Sequence, residues 1–327
     1  MVVRLMAVSF LAHLRAPRRG RDRLAVGLLA LASLACLLGW LNSSLALLAG
    51  IALALGLGNP VASYSSQAAG TVLKTAVVGL GFGLPLATVL ATARDSLLIT
   101  IATIGLALVA GYALARLLRV ERVLGQLLTA GTAICGGSAI AALAPVLRAK
   151  SESITLAVAV VFLLNAVALW LFPLLGHSLQ LTQEQFGLWA ALAIHDTSSV
   201  VGAAASYGDE ALAVATTGKL ARAIWIVPLV IGFGIVNRQR DGKAAFPVFI
   251  SLFLIASLLR TVFPALANWA EPINTAARAL FALSLLWLGA GLSRATLRAI
   301  SFRPLLFAVL LWLLLAGFSL FAIEVMT

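Results

Sequence analysis

The chain has 327 residues, of which 62% are hydrophobic and only 10% charged, with a formal net charge of +12. A soluble domain usually carries about 25% charged residues, so this composition excludes an ordinary soluble protein. Apolar stretches of about 20 residues alternate with short polar links, which indicates a polytopic all-α membrane protein. The excess of Lys and Arg lies mostly in short loops, which favours the positive-inside rule over binding to nucleic acid.

The cysteine content predicts neither a disulfide framework nor a metal site. Cys36 and Cys135 both lie within apolar stretches, and their spacing does not match that of metal ligands. We therefore expect no metal and no other cofactor. No small-residue cleavage site precedes the arginine cluster, so a cleaved signal peptide is not predicted. Residues 1–23 are expected to form a basic cytoplasmic segment, and residues 24–327 a single transmembrane domain.

Hydropathy along the chain predicts about eleven spans of about 20 residues each. In order they are Leu24–Leu41, Ser44–Gly58, Lys74–Leu90, Ser96–Leu114, Val123–Leu147, Ser153–Leu175, Phe186–Ser206, Ala211–Val236, Phe246–Leu266, Ala276–Leu292 and Pro304–Ile323. Asn59–Gly70 is predicted as a weakly patterned re-entrant segment. The loop charges favour a cytoplasmic N-terminus and an external C-terminus, although Arg148 and Lys150 then fall on the outer side, against the rule.

A glycine pair interrupts the predicted span Val123–Leu147. Gly136 and Gly137 each cost a helix roughly 1 kcal/mol relative to alanine, which predicts a break near the middle of the membrane. Unpaired backbone groups at that depth are tolerated only where they line a cavity or meet protein. A half-helix that begins near Gly137 and Ser138 would present N–H donors to an anion. The alternative is a small-residue face that packs against another helix.

Five consecutive polar residues interrupt a second span, Phe186–Ser206. They are His195, Asp196, Thr197, Ser198 and Ser199. Asp196 is the only acidic residue near the centre of a predicted span, and an ionised carboxylate there costs several kcal/mol unless it is paired or faces water. The hydroxyl residues can cap a broken helix, and His195 can relay a proton. The alternative is that Asp196 only bridges two helices.

The next span carries two basic residues at the same expected depth as Asp196. Lys219 and Arg222 are spaced i, i+3 and share one helix face, and both lie near the membrane midplane if the flanking helices are antiparallel. An ion pair between Asp196 and one of these bases is therefore expected, and the second base would leave the site positively charged. Snorkelling to the interface fits this depth poorly.

Four motifs resemble signatures of the YeiH-like bacterial inner-membrane family, which is often labelled as sulfate exporters. They are Gly79–Leu84, Gly131–Pro145, Ile194–Gly202 and Ala211–Arg222. Gly83 stands where the family often has an arginine. The resemblance implies a fold similar to bile-acid–sodium symporters and sodium–proton antiporters. Such a fold has inverted repeats, broken crossing helices, and a core domain that moves against a scaffold, elevator-like, usually in a homodimer.

The sequence therefore predicts a secondary transporter of the bacterial inner membrane for a small anion, such as sulfate or an organosulfonate. We assign anion binding to Cys135, Gly136, Gly137, Ser138, Thr197, Ser198, Lys219 and Arg222, and coupling to a proton or sodium to His195 and Asp196. One alternative is a cation–proton antiporter that uses Asp196 as ion ligand. Others are an intramembrane enzyme with Cys135 as nucleophile, and a structural membrane scaffold.

Overall fold

The computed structural model describes residues 20–236, 248–292, 294, 298 and 300–326. Most of the predicted basic segment, residues 1–19, lies outside the described residues. The described residues form helices and no β-strand. Five of these helices are long and apolar enough to cross a membrane, or six if one bent pair counts as a span. The predicted polytopic helical membrane architecture is confirmed.

The helices are numbered here in chain order. They are α1 Gly20–Leu37, α2 Ser43–Gly56, α3 Ala62–Gly81, α4 Leu86–Asp95, α5 Leu97–Leu117, α6 Arg122–Ala133, α7 Gly137–Leu143, α8 Ser151–Ser178, α9 Gln183–Ala193, α10 Thr197–Tyr207, α11 Asp209–Ala223, α12 Ile226–Val236, α13 Val248–Val262, α14 Ala267–Ala290 and α15 Phe302–Met326. A short 3-10 turn, Pro264–Leu266, precedes α14.

The helices pack as two groups that meet along one seam. Helices α1, α2, α3, α13 and α14 form one group, called the scaffold here, and α5 to α12 with α15 form the other, called the core; α4 contacts both. Within the scaffold, α2 and α14 approach closely because glycines face the partner backbone. A Cβ atom added at Gly289 would lie 2.5 Å from Leu47 O, a separation that only glycine permits. The seam is formed by α2 and α14 against α8 and α10.

The first broken segment, α6–α7, turns back on itself. The Ser153 hydroxyl, at the start of α8, donates to Glu121 Oε2, just before α6, at 3.0 Å. A Cβ atom added at Gly131 would lie 3.1 Å from Ile140 Cδ1, whereas nine residues of continuous helix span about 13 Å. The segment predicted as the span Val123–Leu147 is therefore a re-entrant hairpin, called hairpin 1 here, and that part of the prediction is wrong.

The second broken segment, α9–α10, also forms a hairpin, called hairpin 2 here. The Tyr207 hydroxyl, at the end of α10, donates to Leu181 O, just before α9, at 2.6 Å. The Glu210 N–H donates to Gln183 Oε1 at 3.1 Å, and the rings of Phe186 and Tyr207 stack with centroids 3.8 Å apart. The predicted span Phe186–Ser206 thus begins and ends at the same end of the bundle.

The two hairpins enter from opposite ends of α8 and meet tip to tip. A Cβ atom added at Gly136, in the tip of hairpin 1, would lie 3.2 Å from Val161 Cγ1 on α8 and 3.5 Å from Asp196 Cβ in the tip of hairpin 2. The Asp196 N–H donates to Asn165 Oδ1, also on α8, at 3.3 Å. Val161 and Asn165 are one helical turn apart, about 6 Å. The broken elements therefore meet as opposed hairpins, not as the crossing helices that the resemblance implied.

Re-entrance of hairpin 1 accounts for the loop charges that fit the eleven-span prediction poorly. Because hairpin 1 returns, Arg148 and Lys150 lie at the same end of the bundle as Arg119 and Arg122. This end, called the basic end here, also holds Arg294, whose Nε donates to Leu55 O at the end of α2 at 2.7 Å. The exception to the charge rule disappears with the corrected topology.

The early part of the scaffold also differs from the prediction. Asn59–Gly70 is not a re-entrant segment, because most of it belongs to the continuous helix α3. Helix α4 follows at an angle of 107° to α3. Between them, Gly83 lies against the Asn274 side chain, and an added Cβ atom would lie 2.7 Å from Asn274 Oδ1. A larger residue at position 83, such as the family's arginine, would require the Asn274 side chain to move.

Candidate functional site

The tip of hairpin 1 is the irregular segment Ile134–Gly136. Gly136 adopts φ +63°, a region that favours glycine, and this conformation allows the chain to reverse. Cys135 and Gly136 are buried, Gly137 is half-buried, and Ser138 is exposed. The expected break at the glycine pair is confirmed.

The tip of hairpin 2 is the segment Ile194–Asp196, and Asp196 caps α10. Its carboxylate accepts from the Ser198 N–H at 3.0 Å and from the Ser198 hydroxyl. The cap is therefore the acid itself, not Thr197 or the serines as expected. Asp196 is half-buried, whereas His195, Thr197 and Ser198 are buried.

Lys219 binds the carbonyl end of α9. Its Nζ donates to Ile194 O at 2.6 Å and to Ala191 O at 3.3 Å, and the residue is only 1% exposed. The last carbonyls of a helix have no partner within the helix and carry the negative end of its dipole. Lys219 therefore satisfies backbone acceptors in the tip of hairpin 2 and offsets their partial charge.

Arg222 binds the carbonyl end of α6 in hairpin 1, as Lys219 binds that of α9 in hairpin 2. Its Nε donates to Ala133 O, the last residue of α6, at 2.8 Å, and its Nη1 donates to Thr103 Oγ1 at 3.2 Å. The residue is fully buried. Helix α11 thus supplies one cation to each hairpin from positions i and i+3, so the shared face predicted for Lys219 and Arg222 is confirmed.

The predicted ion pair between Asp196 and one of these bases is wrong. Among the described residues the one ion pair joins Arg278 to Asp209, at 2.7 Å. Each of the three side chains instead has hydrogen-bond partners nearby. Asp196 accepts from Ser198, and the bases bind the carbonyl ends of α9 and α6.

Several buried polar atoms around the tips have no hydrogen-bond partner. They are Thr132 Oγ1, Asn165 Nδ2, His195 Nε2, Thr216 Oγ1 and Arg222 Nη2, on residues at most 3% exposed. A buried polar group left unpaired costs about 1–3 kcal/mol. Such a concentration at the meeting point of two hairpins is typical of a site that holds a polar ligand or ordered water.

A cavity of about 400 Å3 reaches the tip of hairpin 2 along the seam between scaffold and core. Asn165, Asp196, Ser198 and Ser199 form its polar inner end, and the walls come mainly from α2, α8 and α14. Of the predicted site residues, only Asp196 and Ser198 line it. The remaining ones do not: Cys135, Gly136, Gly137, Ser138, His195, Thr197, Lys219 and Arg222.

Asn165 also lines this cavity, although it is not among the residues predicted from the sequence. It lies in the middle of the apolar helix α8, is 3% exposed and contacts the backbone of Asp196. A lone amide in an apolar span was the available signal, because a polar side chain at that depth requires a partner.

A second cavity, of about 1320 Å3, lies at the other end of the same seam. Its polar lining includes Ser206, Asp209, Asn274 and Arg278. Gly202 separates the two cavities. A Cβ atom added there would lie 3.0 Å from Leu285 Cδ1, on the opposite side of the seam. Of these two cavities, the smaller one reaches Asp196.

Cys135 and His195 are the side chains that the alternative of an intramembrane enzyme would use. No hydrogen bond joins Cys135 to His195 among those of the described residues, and the His195 ring lies beside Trp312, with centroids 6.0 Å apart. Within the same residues, no group of three or more His, Cys, Asp or Glu side chains could hold a metal ion.

Comparison with known proteins places the chain in a family of membrane proteins. Residues 24–308 match the family model described as conserved hypothetical protein 698. A "UPF0324 membrane protein" of Geobacter sulfurreducens is 43% identical over 289 residues, which is 88% of this chain and 93% of the relative. A protein of the same description from Bdellovibrio bacteriovorus is 43% identical over 299 residues, 90% and 92% of the two chains.

A third relative with that description, from Porphyromonas gingivalis, is 44% identical over 288 residues, 86% of each chain. No solved structure matches the chain significantly. The resemblance drawn from the four motifs is therefore confirmed: the chain belongs to the conserved hypothetical protein 698 family, the YeiH-like membrane proteins.

Proposed function

We propose that the protein is a secondary transporter of the bacterial cytoplasmic membrane whose solute meets the tips of hairpins 1 and 2. The observation that carries the proposal is the set of unpaired, fully buried donors at the tips, Arg222 Nη2 and Asn165 Nδ2 among them. Irregular backbone at membrane depth is tolerated where it lines a cavity, and broken helices at the midplane are the usual way in which transporters bind solutes.

The charge balance at the tips supports a small anion as the solute, for example sulfate or an organosulfonate. Within the part of the chain that the structure describes, Asp196 is the one carboxylate in the tips that Lys219 and Arg222 bind, so the cluster carries one surplus positive charge when all three are ionised. A buried surplus charge is expensive without a counter-ion. An anion beside the tips would provide it. The Gly136 N–H donates to Gly131 O at 2.8 Å, so the backbone donors proposed for the anion are those of Gly137 and Thr197.

Asp196 is the best candidate for coupling. Among the described residues it is the one charged side chain that lines the smaller cavity, and it is half-buried, so a proton or a sodium ion can reach it from solution. The neighbouring His195 has an unpaired Nε2 and would take part in proton transfer. Binding of an anion beside Asp196 then requires a proton or a cation on the carboxylate. This requirement would couple transport of the anion to transport of the proton or cation.

The loop charges support the orientation. Arg119, Arg122, Lys150 and Arg294 all lie at the basic end, which the positive-inside rule assigns to the cytoplasm. In this orientation the smaller cavity opens towards the cytoplasm, and Asp209 and Arg278 lie on the periplasmic side.

A cation–proton antiporter is the second candidate, and one specific observation favours it. The cavity that reaches the tips is lined by Asp196 and by neither Lys219 nor Arg222. A carboxylate at the end of an otherwise uncharged cavity would attract a monovalent cation. Sodium-dependent thermal stabilisation of the purified protein that sulfate or ethanesulfonate does not reproduce would favour this reading.

Uptake by proteoliposomes tests the proposed function. Sulfate and ethanesulfonate uptake, with and without a pH gradient, would be compared for wild type, Asp196→Asn and Lys219→Ala. Asn is as good a helix N-cap as Asp, so Asp196→Asn keeps α10 capped and removes only the charge. We expect at least tenfold slower coupled uptake in both variants, and no change in Glu184→Gln, an exposed control. Wild-type uptake in both variants would remove the site assignment.

A further inference from the structure

The walls of the smaller cavity are apolar over most of their extent. They come from the aliphatic and aromatic side chains of Leu47, Ile51, Ile154, Val158, Phe162, Leu285 and Leu288, contributed by α2, α8 and α14. Asn165, Asp196, Ser198 and Ser199 form the polar inner end, beside the tip of hairpin 2, and Ser66 and Thr155 are the other polar lining residues. The cavity is therefore amphipathic, with a polar end and an apolar body.

This lining fits poorly with a bare inorganic ion. Sulfate needs hydrogen-bond donors on all sides to replace its hydration, and outside the inner end the wall offers only the hydroxyls of Ser66 and Thr155. A ligand with an apolar body gains free energy from the same wall in proportion to the area that it buries. Specific ligand sites are commonly built in this way, from an apolar wall with a few polar groups that fix the orientation.

The polar end offers an unused donor. Asn165 is 3% exposed, its Oδ1 accepts from the Asp196 N–H, and its Nδ2 has no partner. Because Oδ1 is held by the Asp196 backbone, the amide group is fixed with Nδ2 as the free donor. An acidic oxygen of a ligand could accept a hydrogen bond from this Nδ2.

We infer that the solute is an organic acid with an apolar body, which lies along Val158 and Phe162 and directs its acidic group to Asn165 Nδ2. This inference rests on the proposed function and narrows its substrate class from small anions in general to amphipathic organic ones. The coupling ion on Asp196 offsets the charge of the acidic group beside it. Val158 and Phe162 then determine which chain lengths are accepted.

Calorimetric titration of the protein in lipid nanodiscs tests the inference. Acetate, butyrate and hexanoate would be titrated at constant ionic strength and compared with sulfate. Each added methylene that is buried should tighten binding by about fourfold, so hexanoate should bind far more tightly than sulfate. Equal binding of all three carboxylates, or tighter binding of sulfate than of hexanoate, would overturn the inference.

A matched pair of variants separates the cavity from general partition into lipid. Val158→Thr introduces a hydroxyl into the cavity wall, whereas Val167→Thr makes the same change at an exposed position of α8 outside the cavity. We expect Val158→Thr to bind hexanoate several-fold more weakly than the wild type, and Val167→Thr to bind it as tightly as the wild type. Equal effects of both variants, or tighter binding of hexylammonium than of hexanoate, would contradict the inference.

The two proposals fail in different ways. If transport of sulfate and ethanesulfonate depends on Asp196 but the affinity for carboxylates does not change with their chain length, the inference fails and the proposed function stands. If no anion binds and none is transported, the proposed function fails and the inference fails with it.

Discussion

Lys219 and Arg222 show how one helix can stabilise two broken elements at once. Each base binds carbonyl groups where a half-helix ends inside the bundle, at the negative end of the helix dipole. Their spacing of three residues and their burial were readable from the sequence. Their partners were not, because a backbone carbonyl exposed by a helix break leaves no mark in the side-chain pattern.

Replacement of Lys219 by Met tests this role. The change leaves Ile194 O and Ala191 O without their donor, and we expect a loss of about 1–3 kcal/mol in the free energy of unfolding. Lys74→Met, at an exposed position of α3, should leave stability nearly unchanged. Denaturant titration of the two variants in the same detergent measures the difference, and equal midpoints would contradict the assigned role.

Gly136 carries the reversal of hairpin 1. Alanine at φ +63° costs about 1–2 kcal/mol, and its Cβ atom would also press on Val161 Cγ1 at 3.2 Å. Gly136→Ala should therefore lower the melting temperature clearly. Gly232→Ala is the control, because a Cβ atom there meets no atom within 4 Å; a melting temperature that falls equally in both variants would refute the argument.

At the scale of the elements, the sequence predicted where the helices break but not in which direction the chain continues. The glycine pair and Asp196 mark both tips correctly. An apolar stretch of about 22 residues can cross a membrane or turn back within it, and hydropathy is the same in both cases. The direction is fixed by contacts between distant residues, such as Glu121 with Ser153. The misplaced charges of Arg148 and Lys150 were the one indication in the sequence.

Cysteine labelling from the two sides of the membrane tests the hairpin topology. In a background with Cys36 and Cys135 replaced by alanine, Arg119→Cys and Lys150→Cys should react with an impermeant maleimide from the same side. Gln180→Cys, at the other end of α8, should react only from the opposite side. Reaction of Arg119→Cys and Lys150→Cys from opposite sides would restore a crossing span and contradict hairpin 1.

The whole molecule is divided by a seam that is open at both ends and closed in the middle. The smaller cavity reaches Asp196, and the larger one stops at Gly202 and Leu285. The Arg278–Asp209 ion pair ties α14 of the scaffold to α11 of the core at the end of the larger cavity. The grouping of the helices into core and scaffold followed from the family resemblance. The contact between Gly202 and Leu285 that closes the seam was not predictable, because it depends on packing between residues far apart in the sequence.

Loss of this ion pair should favour opening at the end away from the basic residues. Exposed ion pairs contribute up to about 1 kcal/mol, so Arg278→Gln should speed modification of a Leu285→Cys variant from that side by at most about fivefold. Glu271→Gln, which also lines the larger cavity, is the charge control. Slower modification in Arg278→Gln, or an equal increase in the control, would show that the ion pair does not hold this end of the seam closed.

Modification of Ser199→Cys tests most directly whether solute reaches the hairpin tips. Ser199 lines the inner end of the smaller cavity beside Asp196, and the measurement is the rate of reaction with a small methanethiosulfonate reagent in the cysteine-free background. The account predicts reaction from the basic side, slowed by each anion that the protein transports. A rate that transported anions leave unchanged, or reaction from neither side, would contradict it.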